Sequence, residues 1–492
     1  MSEHVDVLIV GAGLSGIGAG HQLRARFPRK TYTILESREE LGGTWSLFTY
    51  PGVRSDSDMH TLGYRFRPWT ATQAFAEGPT ILDYLKDTAR DGDVERHIRF
   101  GQRAVRAHWS SAAAVWKVEA ESVGTAEISR LTCDFLFMCS GYFRYDEGFT
   151  PAFDGIERFA GPVVHPQHWP ADLDYADKRI VVIGSGATAV TLVPAMAATA
   201  AHVTMLQRSP SYIVSLAGKD RLAARLRRVL PERRVYSVIR WKNVLRTLAS
   251  FLISRRRPEI MKSLIRKGLE QQLPADFDID THFSPAYNPW DQRLCVAPDG
   301  DLFRALRRGA ASVVTDRITS VTETGLVLAS GATLDADVIV TATGLNLLLF
   351  GGIQLSVDGE PVTVPDHMVY KGIMLSDVPN FAFGLGYTNA SWTLKIDLTY
   401  DYVWRLLAHL DATGASWCVP RLRDRSVREV PIFDFSSGYV QRSIAQFPKA
   451  GSKGPWRSRM NYLIDAIVMP RGSVDDGTME FGRPAAGVPV RS

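Results

Sequence analysis

The chain has 492 residues, 45% hydrophobic and 10% aromatic, enough for two to three domains with sizeable cores. No apolar run reaches the ~20 residues that cross a bilayer. The four cysteines (Cys133, Cys139, Cys295, Cys418) form no CxxC pair and no cluster with histidine, which excludes a zinc site and a redox-active CxxC disulfide and suits a reducing cytoplasm.

The start, Met1-Ser-Glu-His-Val-Asp, lacks a basic n-region, so no secretory signal is expected. The apolar run Val7–Val10 leads into Gly11-Ala-Gly13-Leu-Ser-Gly16, which reads as strand, tight turn and helix. Such glycines let backbone N–H groups and a helix N-terminus approach a pyrophosphate. The unit ends in Tyr32-Thr-Ile-Leu-Glu36. A carboxylate about twenty residues past the last glycine accepts from ribose hydroxyls and repels a 2′-phosphate. FAD or NAD suits this site.

A mixed region follows, ending in the strand Phe135–Gly141. A second run, Ile180–Ile183, enters Gly184-Ser-Gly186-Ala-Thr-Ala189, and that unit ends in Val203-Thr-Met-Leu-Gln-Arg208-Ser209. A guanidinium at this place matches a 2′-phosphate. FAD together with NADPH satisfies both units.

Residues 219–267 carry sixteen Lys or Arg against three acids, a local net of +13, so the remainder carries −8 of the overall +5. Val238, Trp241, Leu245, Leu248 and Leu252 recur at helical spacing, with Arg240, Lys242, Asn243 and Arg246 elsewhere on the wheel. The expectation is a helical insertion whose apolar stripe packs on the protein and whose charges are solvated. The alternative is a basic amphipathic helix resting on anionic lipid, which would make a cytoplasmic protein peripheral to the membrane. No nucleic-acid-binding module accompanies the charge, so no nucleic-acid partner is expected.

Further on come a loop-rich stretch, residues 283–293, and a strand, Asp337–Gly344. The strand endings Cys139-Ser-Gly141 and Ala342-Thr-Gly344 suit chain returning past a nucleotide. Gly386-Tyr-Thr-Asn-Ala-Ser-Trp392 precedes a helical run, Thr393–Leu410. Gly451-Ser-Lys-Gly-Pro-Trp456 is expected to be a plain surface loop, with a lid closed by the Trp as the alternative. The fold class is α/β, with two dinucleotide-binding Rossmann-like domains and a helical insertion. Residues 1–140 and 345–492 are expected to bind FAD, residues 141–212 and 290–344 to bind NADPH, and residues 213–289 to form the basic insertion in the second domain. The crevice between domains is the default active site.

Two further stretches carry a family resemblance. Phe159-Ala-Gly161-Pro-Val-Val-His165-Pro-Gln-His168-Trp169-Pro170 fills the F-x-G-x-x-x-H-x-x-x-W-P pattern, and Gly43-Thr-Trp45-Ser-Leu-Phe-Thr-Tyr50-Pro51-Gly52-Val-Arg-Ser-Asp56 fills a second one. In both, the chain resembles the type I Baeyer–Villiger monooxygenases. Related flavin-containing and N-hydroxylating monooxygenases depart from the first pattern, usually at the Trp. Tyr50-Pro-Gly-Val-Arg-Ser-Asp-Ser-Asp-Met59 and Gly386-Tyr-Thr-Asn-Ala-Ser-Trp-Thr-Leu-Lys395 resemble the mycobacterial ethionamide-activating subgroup.

The resemblance implies that NADPH reduces FAD and that the reduced flavin captures O2 as a C4a-peroxide. That species attacks a ketone to give an ester or lactone, or, once protonated, oxygenates thioethers and thioamides. Arg293 matches the family's active-site arginine and Asp56 the carboxylate that orients it. Gly11, Gly13, Gly16, Glu36, Thr44, Trp45 and Asp56 are implied for FAD. Gly184, Gly186, Ala189 and Arg208 are implied for NADPH, with Ser209 beside the 2′-phosphate. Asn389 and Ser391 fall where a helix begins under the flavin, its N-terminal charge favouring the reduced ring, with ordinary capping as the alternative. His165 is implied in coupling the domains, Trp169 and Pro170 in shaping the linker, and His168 is incidental. Gln292 departs from a frequent Lys, which implies a smaller NADPH margin over NADH. An S- or N-oxygenase with little ketone activity, and a non-catalytic flavin-binding protein docked on membrane, are the competing functions. The missing CxxC weighs against a flavin disulfide reductase.

Overall fold

Strands buried on both faces read as unbroken apolar runs, and the two runs that precede the glycine loops are central strands of two separate sheets. The computed structural model describes residues 3–433 and 435–484. Met1 and Ser2, at the start of the expected FAD-binding part, and residues 485–492, at its end, lie outside these.

In the first unit β1 (Glu3–Val10), α1 (Leu14–Arg26) and β2 (Tyr32–Leu35) form a right-handed start, followed by β3 (Ile98–Arg99). An antiparallel meander, β4 (Gln102–Ser110), β5 (Val115–Ser122) and β6 (Ile128–Met138), brings the chain back parallel to β1, Val7 opposite Phe135 and Val10 opposite Met138. The chain leaves through β7 (Phe143–Gly148).

The second sheet is wholly parallel. β8 (Val163–Val164), β9 (Arg179–Ile183), α2 (Ala187–Met196), β10 (His202–Gln207), β11 (Ala311–Thr315) and β12 (Val338–Thr341) give the strand order β11-β10-β9-β12-β8. The chain returns through β13 (Leu345–Leu347), which pairs antiparallel with β7. β14 (Gln354–Val357), β15 (Glu360–Pro361) and β16 (Phe381–Phe383) complete the first sheet, with β14 on β4 and β16 on β6. The α/β architecture with two Rossmann-like units is the one expected.

The insertion between β10 and β11 holds α3 (Glu232–Arg256) and α4 (Pro258–Glu270). Pro258 sets the break: it bars the helical region to Arg257 and is itself a good first helical residue. The expected orientation of α3 is overturned. Arg240 and Asn243 are 6% and 1% exposed, whereas Val238, Trp241 and Leu245 are 47%, 46% and 51% exposed. Leu248 and Leu252 are half-buried. The surface beneath α3 takes Val235, Ile239 and Val244 into apolar contacts and offers polar partners beside them. Arg240 Nη2 donates to Asp397 Oδ2 at 2.9 Å and Nη1 to the carbonyls of His60 and Gly63, while Asn243 Nδ2 donates to Asp58 Oδ1 at 2.7 Å. Periodicity locates a stripe but not the partner that decides which side faces in. Although inserted in the second unit, α3 therefore leans on the first, through Asp397 of α5 (Trp392–Thr413). α4 sends Ile265 and Leu269 into the core of the second unit. Near the end of the described chain, α6 (Tyr462–Arg471) packs on α5, held by Lys395 Nζ donating to Asp465 at 2.8 Å.

The 451–456 stretch is not a free loop. Strand Lys449–Gly451 leads into a short turn, and Trp456 is buried in the first core with its ring 5.6 Å from Tyr370. Extracting it would expose a large apolar surface, so Trp456 is a packing residue and not a lid.

Candidate active site

The first glycine loop opens onto a cavity of about 480 Å³. Gly11 has φ +103°, and a Cβ there would lie 2.7 Å from the Cys139 carbonyl oxygen. The turn is thus pressed against the end of β6, and the cavity begins beyond it. Gly13, Glu36, Thr44 and Trp45 line it. Glu36 is buried at the end of β2, accepting from Ala12 N at 2.7 Å and Arg38 N at 3.0 Å. Burial raises its pKa, against these two donors. Gly16 and Ser15 sit in the first turn of α1, and Ser15 Oγ accepts from Trp392 Nε1 at 2.8 Å. Trp392 stacks on Tyr142 at 5.4 Å, and both line the cavity, as does Ser140, whose buried hydroxyl has no partner. Ser15, Ser140, Tyr142 and Trp392 escaped the sequence reading. Only the strand–Ser–Gly ending at Cys139–Gly141 pointed towards them.

The second glycine loop repeats the first. Gly184 has φ +138°, and its Cβ would lie 2.3 Å from the Ala342 carbonyl at the end of β12. Around a Cβ on Gly186 there is nothing within 4 Å. Ala189 is buried in α2, where it packs the helix onto β9. Arg208 and Ser209, just past β10, are exposed, and the Arg208 guanidinium has no carboxylate partner among the described residues. Ser185 Oγ donates to the Ser209 carbonyl at 3.1 Å and pins this turn to the glycine loop.

Arg293 and Asp56 come together from the loop-rich stretch and the second fingerprint. Arg293 Nε donates to Asp56 Oδ2 at 2.6 Å and Nη2 to Oδ1 at 2.8 Å, and Nη1 faces the Thr388 carbonyl at 3.5 Å. Burial alone would lower the guanidinium pKa, but the Asp56 carboxylate more than offsets this and the net shift is upward. The pair lines a second cavity of about 360 Å³ walled by α3, α4 and the start of α5, with apolar lining from Phe75, Met261, Leu264, Trp290 and Phe303. Burial raises the pKa of the Tyr142 hydroxyl in the first cavity, and the Arg293 charge opposes that rise.

Asn389 and Ser391 line the second cavity as well. Ser391 occupies the N-cap position of α5 but makes no capping bond. Its hydroxyl pairs with Thr61 Oγ1 at 2.6 Å, and Asn389 Nδ2 donates to the Met460 carbonyl at 2.9 Å. The simple capping alternative therefore fails: Leu394 N donates to the Ser391 carbonyl at 3.2 Å, and no side chain caps Trp392 N or Thr393 N among the described residues.

His165 sits where the two crossings meet. Its Nδ1 accepts from Gln167 N at 3.1 Å, which makes Nε2 the protonated nitrogen, donating to the Gly344 carbonyl at 3.1 Å. Its ring lies flat on Gly148 of β7, where a Cβ would fall 2.0 Å from Cε1. Burial lowers its pKa. Trp169 is half-buried against the second core with its ring 6.3 Å from Tyr175, and exposed His168 reaches only the Asp146 carbonyl.

Over residues 71–357 the chain matches the flavin-binding monooxygenase-like family, and over residues 9–76 an NAD(P)-binding Rossmann-like domain. Over 491 residues it is 54% identical to the FAD-containing monooxygenase EthA of Mycobacterium tuberculosis, covering 100% of each chain. The chain belongs to the flavin-binding monooxygenase family. Among solved structures, this monooxygenase aligns with an oxidised steroid monooxygenase bound to NADP at a TM-score of 0.76, with 21% identity over 98% of this chain and 100% of the other. It aligns with an open form of cyclohexanone monooxygenase at 0.74, with 20% identity over the same shares. These two likenesses show a shared fold. The resemblance read from the two fingerprints agrees with the family match. Among the described residues no group of His, Cys, Asp and Glu could hold a metal ion, and no helix is long and apolar enough to cross a membrane.

Proposed function

We propose that this monooxygenase uses NADPH and FAD to place one oxygen atom of O2 into a small ketone, giving an ester or lactone. It also oxygenates the sulfur of thioethers and thioamides. The observation that carries this reading is Arg293, held by Asp56 in a bidentate pair in the wall of the second cavity.

The first cavity suits FAD: the close-set turn, the buried Glu36 carboxylate and the unpartnered Ser140 hydroxyl are what a ribose and pyrophosphate need. Bound there, FAD would supply a hydride acceptor and, once reduced, the centre that activates O2. Gly11, Gly13, Gly16, Glu36, Thr44 and Trp45 would hold it, with Asp56 at its edge. Gly184, Gly186 and Ala189 give NADPH its close approach, and free Arg208, with Ser209, receives the 2′-phosphate. Gln292 adds no charge there, so NADPH is still preferred through Arg208 but by a smaller margin over NADH than a Lys would give. The N-terminus of α5 beside Asn389 and Ser391, where no side chain caps Trp392 N or Thr393 N, favours negative charge on the flavin side.

Oxygen transfer to a carbonyl builds up negative charge, and a fixed cation in a water-poor site stabilises it. Arg293 is suited because a guanidinium stays protonated where a buried amine would not. Asp56 fixes its plane, and Phe75, Met261, Leu264, Trp290 and Phe303 give the second cavity an apolar side for the substrate. His165 and Trp169 couple the domains through the β7–β13 crossing.

The test is turnover with NADPH under isotopically labelled O2, with a simple ketone and a thioether in separate reactions. One labelled oxygen in the ester and in the sulfoxide is expected, with NADPH consumption stimulated by each substrate. Hydrogen peroxide as the sole product, at a rate neither substrate changes, would sink the proposal.

A further inference from the structure

α3 is held from beneath by buried Val235, Tyr236, Ile239 and Val244 as well as by the polar bonds of Arg240 and Asn243, and a second apolar row is left facing outward. Val238, Trp241 and Leu245 are about half exposed, and Ile253 continues the row at 39%. The Trp241 ring lies 5.9 Å from Tyr462 at the start of α6, where Ile464, Ile467 and Val468 are exposed, and on α4 Ile260 and Leu264 are exposed too. Contiguous apolar side chains on neighbouring helices mark an interaction surface and are not the scattered exposure of an ordinary monomer.

Charge identifies the occupant. Arg233, Arg234, Arg246, Arg256 and Arg257 are exposed and have no carboxylate partner among the described residues. Two copies meeting here would oppose two segments of +13 each. An anionic surface instead gains from each guanidinium. α3 is 25 residues long, so it lies along such a surface for roughly 38 Å, and none of the helices can cross it among the described residues.

We propose that the outer face of α3, with the adjoining exposed ends of α4 and α6, docks on an anionic lipid bilayer, the apolar row entering the headgroup boundary and the arginines pairing with phosphates. Arg240–Asp397 and Asn243–Asp58 are the anchors that keep this side out. Leu264 also lines the 360 Å³ cavity, so the docking face adjoins its wall.

Flotation of the full chain with phosphatidylcholine vesicles, with and without phosphatidylglycerol, tests this. The wild type should float with the anionic vesicles alone. Val238→Ser/Trp241→Ser/Leu245→Ser and Arg256→Gln/Arg257→Gln should each bind about tenfold less, with unchanged circular dichroism. Failure of the wild type to bind anionic vesicles would overturn the proposal, as would undiminished binding by the apolar variant. A wild-type dimer that the same variant converts to monomer would also overturn it, because the face would then pair two copies.

Discussion

Arg293 and Asp56 stand 237 residues apart in the chain and meet through two parallel N–H···O bonds. Such a fork fixes the guanidinium in direction as well as in charge. Arg293→Ala should lower oxygenated product per NADPH consumed by about 10²–10³-fold, while anaerobic reduction of the flavin by NADPH continues. Product yield and stopped-flow reduction, measured on one preparation, check this. Equal losses in both would mean that the substitution disrupts the fold and not the oxygen transfer.

Arg208 is the proposed source of the coenzyme preference. Arg208→Ala should cut kcat/KM for NADPH by about 10- to 100-fold, the worth of one or two charge-assisted hydrogen bonds, and leave NADH unchanged. Gln292→Lys should widen the NADPH margin. Equal catalytic efficiency of the wild type with both coenzymes would contradict the assignment.

His165 makes the crossing sensitive to acid. Its folded pKa is depressed by burial, so the unfolded chain binds its proton more readily. The stability it contributes is complete above the ordinary histidine value of about 6.5 and is lost as the pH falls below it. Protonation would also break the Gln167 N–H bond to Nδ1. The wild type should therefore lose more stability between pH 7 and 5 than His165→Gln. Denaturant unfolding of both proteins across that range shows the difference, and superimposable pH profiles would count against it.

The Arg240–Asp397 pair is almost wholly buried, so removing one partner strands a charge. Arg240→Ala should destabilise the first unit by about 3–5 kcal/mol, and Arg240→Met/Asp397→Leu should recover most of the loss. Urea unfolding followed by Trp fluorescence measures both.

What could be read from the chain was local. Val7–Gly16 and Ile180–Ala189 announce themselves because turn, helix start and buried strand lie within ten residues of each other. The Arg293–Asp56 pair was visible only through family resemblance, since no spacing rule links residues so far apart. Trp392 on Ser15 and Tyr142 left no local trace for the same reason. The α3 stripe was found in the right place and given the wrong face, because the partners that settle the matter, Asp58 and Asp397, belong to distant segments. Residues 451–456 read as a plain surface loop from their glycines, but Trp456 is held by a core built from other parts of the chain.

The chain passes between its two halves twice, and β7 and β13 make those passages side by side, laced together. A paired ribbon acts like a hinge with a single pin: swinging about its length leaves the lacing intact, whereas sliding or splaying the halves tears it. One kind of opening is then easy and the rest are stiff. Because α3 leans on one half and α4 on the other, a swing about this ribbon would change the room between those helices. The width of the crevice and the space beside Arg293 would then follow one angle.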